Sequence, residues 1–177
     1  MRPRLERVSR REKERLAREL AEAFRVPEVE DVVSGRRFLK LTGRWTEYFD
    51  ASEPRFEPGD LPDTAHPFSV GLPFAERMAR GDLRLHPEGA RVLSEEAPRV
   101  NVKVTEKAAI LFTYGRDVLP GSVLDVEGPE VDGRWVVVVL EDWLGSHPVG
   151  VGVLRLTDEG PMVENLMDRG WYLRRGG

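Results

Sequence analysis

The segment Trp135–Leu140 restricts the possible folds more than any other part of this sequence, because all six of its residues are apolar. A strand with one face in water alternates apolar and polar side chains, so an unbroken apolar run indicates a strand that is covered on both faces. Four further strands are predicted after residue 100, at Asn101–Val104, Val123–Val126, Val149–Leu156 and Trp171–Arg174. So many short strands in one stretch predict a small β-barrel. Thr105 is the predicted N-cap of a short helix over residues 106–112.

The residues before the barrel predict both helices and strands, with a domain boundary near residues 97–100. A capping box at Ser9–Glu12 predicts the start of a helix. Apolar residues at helical spacing continue this helix to Phe24, before Pro27. Gly43 separates two extended segments and predicts a hairpin. The other elements predicted in this half are strands over residues 37–41, 45–49 and 83–85, a helix over residues 87–93, and a loop over the proline-rich residues 50–68.

The composition excludes several classes of function. The chain has 177 residues and no cysteine, which rules out disulfides, thiolate nucleophiles and cysteine-bound metals. Its three histidines are far apart in the sequence, so neither a histidine metal site nor a cofactor is expected. The sequence shows no secretory signal and no apolar run long enough for a bilayer, which predicts a soluble protein of the cytoplasm without a membrane partner.

The sequence contains no motif that indicates catalysis. Gly150-Val151-Gly152 lacks the third glycine of a dinucleotide-binding fingerprint, and a strand rather than a helix follows it. No phosphate-binding loop is present, and no serine lies in the nucleophile elbow of a hydrolase. Pairs of acidic residues are adjacent in sequence, so their side chains point apart on regular elements. We therefore expect that the protein is not an enzyme.

Positive charge is concentrated near the carboxyl end, although the formal net charge of the chain is −4. Residues 168–175 read Asp-Arg-Gly-Trp-Tyr-Leu-Arg-Arg, which combines two aromatic rings with three guanidinium groups. Aromatic faces stack on bases and guanidinium groups pair with phosphates, so this pattern is typical of an RNA-binding surface. The same pattern also fits aromatic side chains in a core with solvated arginines beside them, and the residues alone leave both interpretations open.

Two parts of the sequence resemble known domains. The segments Lys107–Val123, Trp135–Val138 and Pro148–Gly152 resemble a PUA domain, a small β-barrel, and Asp168–Arg174 resembles its last strand. The segments Phe38–Arg44, Ser69–Phe74 and Leu83–His86 are similar to the pre-PUA domain of NIP-type ribosome-biogenesis proteins. This resemblance implies an α+β protein, in which an amino-terminal α/β pre-PUA domain over residues 1–98 precedes a PUA β-barrel over residues 99–177.

The resemblance also implies a function. Archaeal-like members of this family are RNA-binding proteins of ribosome biogenesis and rRNA processing, which bind single-stranded U-rich or AU-rich RNA and modulate the exosome. The expected partners are therefore pre-rRNA or other single-stranded RNA, together with ribosome-assembly proteins or the exosome. The candidate RNA-binding residues are Lys107, Arg116, Arg169, Tyr172, Arg174 and Arg175. In this hypothesis the cations contact phosphates and Tyr172 stacks on a base.

Two alternatives remain open from the sequence. In the first, Phe38, Trp45, Tyr48 and Phe49 form a protein-docking surface of the amino half instead of its core. In the second, the chain is a tRNA-binding accessory part of an RNA-modifying enzyme such as a transglycosylase, because accessory domains precede a PUA barrel in such enzymes too.

Overall fold

A computed structural model describes residues 4–53, 58–60, 70–171 and 174 of the chain. The helices are α1 (Arg10–Phe24), α2 (Glu28–Ser34), α3 (Pro87–Glu96) and α4 (Glu106–Thr113). The strands of the amino half are β1 (Arg4–Arg7), β2 (Phe38–Thr42), β3 (Thr46–Asp50), β4 (Leu72–Arg77) and β5 (Leu83–Leu85). The strands of the carboxyl half are β6 (Asn101–Val104), β7 (Val123–Val126), β8 (Trp135–Asp142), β9 (Gly145–Thr157) and β10 (Gly160–Asp168).

The strands form two five-stranded sheets, one in each half of the chain. The first sheet is antiparallel and follows chain order from β1 to β5. The second sheet has the order β10-β9-β8-β6-β7, in which β6 and β8 pair in parallel. This sheet curls, because an antiparallel bridge joins Val163 of β10 to Val118, only five residues before β7 begins. The mixed α/β architecture agrees with the prediction.

Several predicted elements are confirmed, together with the physical reason for each. Ser9 caps α1, because its Oγ accepts a hydrogen bond from the Glu12 amide at 3.2 Å, and the apolar stripe from Leu16 to Phe24 is buried. The predicted hairpin is β2–β3. Pro87 occupies the first turn of α3, where the missing amide hydrogen costs nothing.

Strand β8 is covered on both faces, as its apolar run predicts. Val136 and Val138 pack with α4 in the core of the second sheet. Val137 and Val139 instead belong to a cluster that includes residues of α1 and α3. The ring of Phe24 meets that of Trp135 edge to face, with the centroids 6.0 Å apart. One of the buried clusters thus contains residues of both halves. The proposed domain boundary between the halves stays a prediction.

Arg134 lies where the two halves meet, and its side chain is fully buried. Its Nη1 donates to the carbonyl oxygens of Phe24, at the end of α1, and of Arg99, both at 3.4 Å. Its Nε and Nη2 have no hydrogen-bond partner among the described groups. Burial, with a smaller effect of the nearby Arg99 charge, lowers the pKa of Arg134 to about 10.

The prediction of a last strand over Trp171–Arg174 is wrong. Within the residues that the structure describes, β10 is the last strand of the second sheet, whereas Trp171 and Arg174 are helical. The Arg174 amide donates to the Gly170 carbonyl at 3.2 Å. Gly170 permits this turn, because a Cβ there would lie 2.0 Å from the Thr113 carbonyl oxygen. The prediction followed the aromatic residues of this segment, whereas close packing against the end of α4 sets its conformation.

The four aromatic residues of the docking alternative divide between core and surface. Phe38, Tyr48 and Phe49 are buried, which supports the interpretation that they belong to the core, whereas Trp45 is 40% exposed at the hairpin turn. The prediction of a loop over residues 50–68 falls mostly outside the described residues, and residues 58–60 form one 3-10 turn. Every helix in the described part of the chain is too short or too polar to span a lipid bilayer.

Candidate nucleic-acid interface

Helix α4 turns one side to the core and the other to solvent. Thr105 caps the helix as predicted, because its Oγ1 accepts a hydrogen bond from the Ala108 amide at 3.3 Å. The buried side packs against the second sheet through Ala108, Ala109 and Phe112. The outer side carries Lys107, Ile110, Leu111 and Tyr114. These four residues lie at positions i, i+3, i+4 and i+7, so they share one face of the helix.

The outer face of α4 combines apolar, aromatic and basic groups. Tyr114 is 70% exposed and Ile110 is 50% exposed, although both side chains are large and largely apolar. Clustered exposed apolar groups mark binding surfaces. With a rise of 1.5 Å per residue, Lys107 and Tyr114 lie roughly 10 Å apart along the helix axis. A ring and a cation at this spacing can stack on a base and pair with a neighbouring phosphate.

The turn after α4 is fixed by β10. Gly115 has a φ of +84°, a left-handed conformation that suits glycine. Asn165 of β10 donates from its side chain to the Phe112 carbonyl at 2.8 Å and from its backbone to the Asp117 carboxylate at 2.8 Å. These bonds hold the exposed Arg116 beside the end of the helix. Among the described residues, neither Arg116 nor Lys107 has a carboxylate partner.

Arg174 is the candidate whose charge is locally compensated. Its guanidinium forms a two-pronged pair with the buried Asp168, at 2.6 Å from Nη2 and 3.0 Å from Nη1. Nη1 also donates to the Thr113 carbonyl at 2.6 Å, at the end of α4. The hydrogen bonds to Asp168 raise the pKa of Arg174. The geometry therefore gives Arg174 a role in holding the segment after β10 against α4.

Arg169 faces another part of the molecule. Its backbone amide donates to the Val149 carbonyl at 3.1 Å and continues the pairing of β10 with β9. Its exposed side chain lines a cavity of about 250 Å³ together with Pro73, His86, Pro87 and Glu88, all of the amino half. The expected cluster of guanidinium groups beside the last strand is thus divided between two places.

The structure places four of the six candidate residues. Arg116 and Arg174 lie at the carboxyl end of α4, and Lys107 lies on its first turn. Tyr172 and Arg175 lie outside the described residues. The sequence reasoning missed the exposed Ile110, Leu111 and Tyr114 as candidates. A signal was present, because α4 carries apolar residues on both sides, more than burial of one side requires.

Comparison with known proteins assigns the carboxyl half. Residues 100–177 match the sequence model of the family described as UPF0113 PUA domain. These residues are similar to a PUA domain over their whole length. PUA domains generally bind RNA. No curated protein matches the chain.

Solved structures resemble the whole chain and not the PUA domain alone. A conserved PUA domain protein from Thermoplasma acidophilum has a TM-score of 0.62 at 13% identity, over 94% of this chain and 95% of that chain. A hypothetical protein from Pyrococcus horikoshii has a TM-score of 0.60 at 15% identity, over 96% and 99% of the two chains. A PUA domain from Aeropyrum pernix, solved as a tartrate complex, has a TM-score of 0.55 at 16% identity, over 96% and 88%. These likenesses show that the amino half also shares a known fold.

Proposed function

We propose that this protein binds single-stranded RNA without catalysing a reaction, and that it acts in the biogenesis of the large ribosomal subunit. The outer face of α4 is the main support for RNA binding. Lys107, Tyr114 and the adjacent Arg116 are exposed there, within the residues that match the PUA domain model. The ribosomal role rests on the resemblance of the amino half to pre-PUA domains. A more specific version of this proposal is that the protein modulates the exosome.

In this proposal the outer face of α4 is the principal contact. Tyr114 stacks on a base, and Lys107 and Arg116 pair with phosphates on either side of it. Arg174 supports the surface by holding the segment after β10 against Thr113. Tyr172 and Arg175, on either side of Arg174 in the sequence, remain candidate contacts by prediction.

The test measures binding of a labelled single-stranded, U-rich RNA as a function of salt. The variant Lys107→Ala with Arg116→Ala removes two cations. Since each phosphate contact contributes about 0.7 to the slope of log K against log salt, the slope should fall by about 1.4. At 0.1 M salt this corresponds to a loss of roughly 25-fold. Tyr114→Ala should cost about tenfold, and Tyr114→Phe should restore binding because the ring is kept.

A matched control removes two exposed arginines of the amino half, Arg44 and Arg80, by alanine substitution. The control has the same change in net charge and should bind within twofold of the wild type. Equal losses in both double variants would show that only total charge matters and would refute the α4 surface. Crosslinking followed by sequencing of the bound RNA tests the ribosomal role: pre-rRNA is expected, whereas recovery of tRNA would favour the transglycosylase-type alternative.

A further inference from the structure

A second basic surface lies in the amino half, away from the PUA domain. A cleft of about 510 Å³ opens between the end of β1, the first turns of α1 and the connection from α2 to β2. Five of its eight lining residues are basic, namely Arg7, Arg10, Lys13, Arg36 and Arg37. None of the described residues that line the cleft is acidic. Such a one-sided lining attracts anions.

Hydrogen bonds fix the backbone around the cleft, which sets the positions from which the basic side chains extend. The Val8 amide donates to the Phe38 carbonyl at 3.2 Å and ties the end of β1 to β2. The Arg37 amide donates to the Ser52 hydroxyl at 3.0 Å. The first turn of α1 also faces this region, where the positive end of the helix dipole adds to the field.

Backbone carbonyl groups hold the side chain of Lys13 at this surface. Its Nζ donates to the carbonyl oxygens of Ser34 at 2.7 Å and of Arg36 at 3.1 Å. Carbonyl oxygens orient an ammonium group but carry no net charge to cancel it. A role for Lys13 in capping the end of α2 accounts for one cation. It does not account for the four arginines that line the same cleft.

The arginines of the cleft differ in how firmly they are held. Arg10 pairs with Glu14 one turn along α1, at 2.7 Å, with 91% of its side chain exposed. Exposed pairs of this kind contribute little and exchange partners readily. Arg36 bonds to both Asp50 and Glu96, which compensate its charge. Arg10 can therefore turn towards an incoming anion at little cost.

We propose that this cleft binds phosphate groups of the RNA backbone, so that the amino half contributes its own contact to the bound RNA. The inference rests on the proposed RNA-binding function. The cleft is open, and flexible basic side chains line it instead of a loop of backbone amides. That construction suits successive phosphates of a polynucleotide better than one enclosed small ligand.

The test uses the full chain and a labelled single-stranded, U-rich RNA of about 20 nucleotides, longer than the ~4–16 nucleotides that one small binding domain covers. Arg10→Ala with Arg37→Ala removes two cations of the cleft. The salt slope should fall by about 1.4, and binding at 0.1 M salt should weaken by roughly 25-fold. Arg10→Lys with Arg37→Lys keeps both charges and should restore most of the slope.

The matched control is Arg15→Ala with Arg18→Ala on the same helix, outside the cleft. Arg15 pairs with Glu19 one turn along, at 2.6 Å, as Arg10 pairs with Glu14. The control should bind within twofold of the wild type. Should Arg37→Ala impair folding, Arg10→Ala alone serves as the test, with an expected loss of about fivefold.

The outcomes separate this inference from the proposed function. If the cleft variant binds as tightly as its control while the α4 variant loses binding, the cleft inference is wrong and the α4 surface stands. If the cleft variant loses binding and the α4 variant does not, the cleft stands and the α4 surface is wrong. If neither loses binding, both assignments are wrong.

Discussion

Replacement of Arg134 tests whether its buried charge stabilises or destabilises the fold. Burial lowers the pKa of Arg134 to about 10, and at ~1.4 kcal/mol per pKa unit this lowering corresponds to roughly 3 kcal/mol against the charged form. The two hydrogen bonds to carbonyl oxygens are long, at 3.4 Å. Well-formed hydrogen bonds of a charged group contribute about 1.5–3 kcal/mol each, and bonds of this length contribute less. The charge therefore costs more than its hydrogen bonds contribute, and the packing of the side-chain stem accounts for the rest.

The substitutions Arg134→Met and Arg134→Ala separate charge from packing. Methionine keeps a long apolar stem without charge, so this variant should be at least as stable as the wild type. Alanine leaves a cavity between the halves and should lose about 2 kcal/mol or more. That loss lowers Tm by about 4–8 °C for a chain of this size. Urea unfolding and differential scanning calorimetry measure both changes.

A control variant, Arg155→Met, removes an arginine whose side chain is 40% exposed. It should change stability by no more than about 0.5 kcal/mol, as surface substitutions usually do. If Arg134→Met lost as much stability as Arg134→Ala, the guanidinium would be a stabilising link between the halves, and the reasoning from burial would fail.

Two further substitutions test the packing of Gly170 against the end of α4 and the effect of burying His86. Gly170→Ala would place a Cβ 2.0 Å from the Thr113 carbonyl oxygen; we expect a loss of about 1–3 kcal/mol in thermal unfolding, and an unchanged Tm would contradict the close contact. Burial lowers the pKa of His86 below its ordinary 6.5. Below about pH 6.5 His86 binds a proton in the unfolded chain but stays neutral in the folded chain. The free energy of unfolding should therefore fall as the pH is lowered from 7.5 to 5.5. His86→Gln should flatten this dependence, and an unchanged slope would contradict it.

The elements that could be predicted from the sequence are those whose signal is local. The capping box before α1 and the unbroken apolar run of β8 each depend on neighbouring residues, and both are confirmed. Strand β10 was missed because a bulge between Asn165 and Met167 shifts its register and interrupts the alternation of buried and exposed residues. Strand β1 was missed because it is a short edge strand with a single apolar residue, Leu5.

The candidate site could be predicted only in part. Lys107 lies on α4 and Arg116 follows it closely, positions that the predicted short helix already implied, whereas their role in binding stays a prediction. The pairing of Arg174 with Asp168 could not be read from the sequence, because the pair forms only when the chain turns back onto Thr113. The basic cleft of the amino half was also hidden, since its residues come from β1, α1 and the α2–β2 connection and meet only in the folded chain.

Because one buried cluster contains residues of both halves, the carboxyl half cannot be exchanged for that of another protein without loss of packing. Val137, Val139 and Val151 of the second sheet are buried in the cluster that contains α1 and α3 residues. If the carboxyl half were expressed without the amino half, these three valines would be exposed to water as an apolar strip. A carboxyl half taken from another protein would need apolar residues at the three positions that these valines occupy.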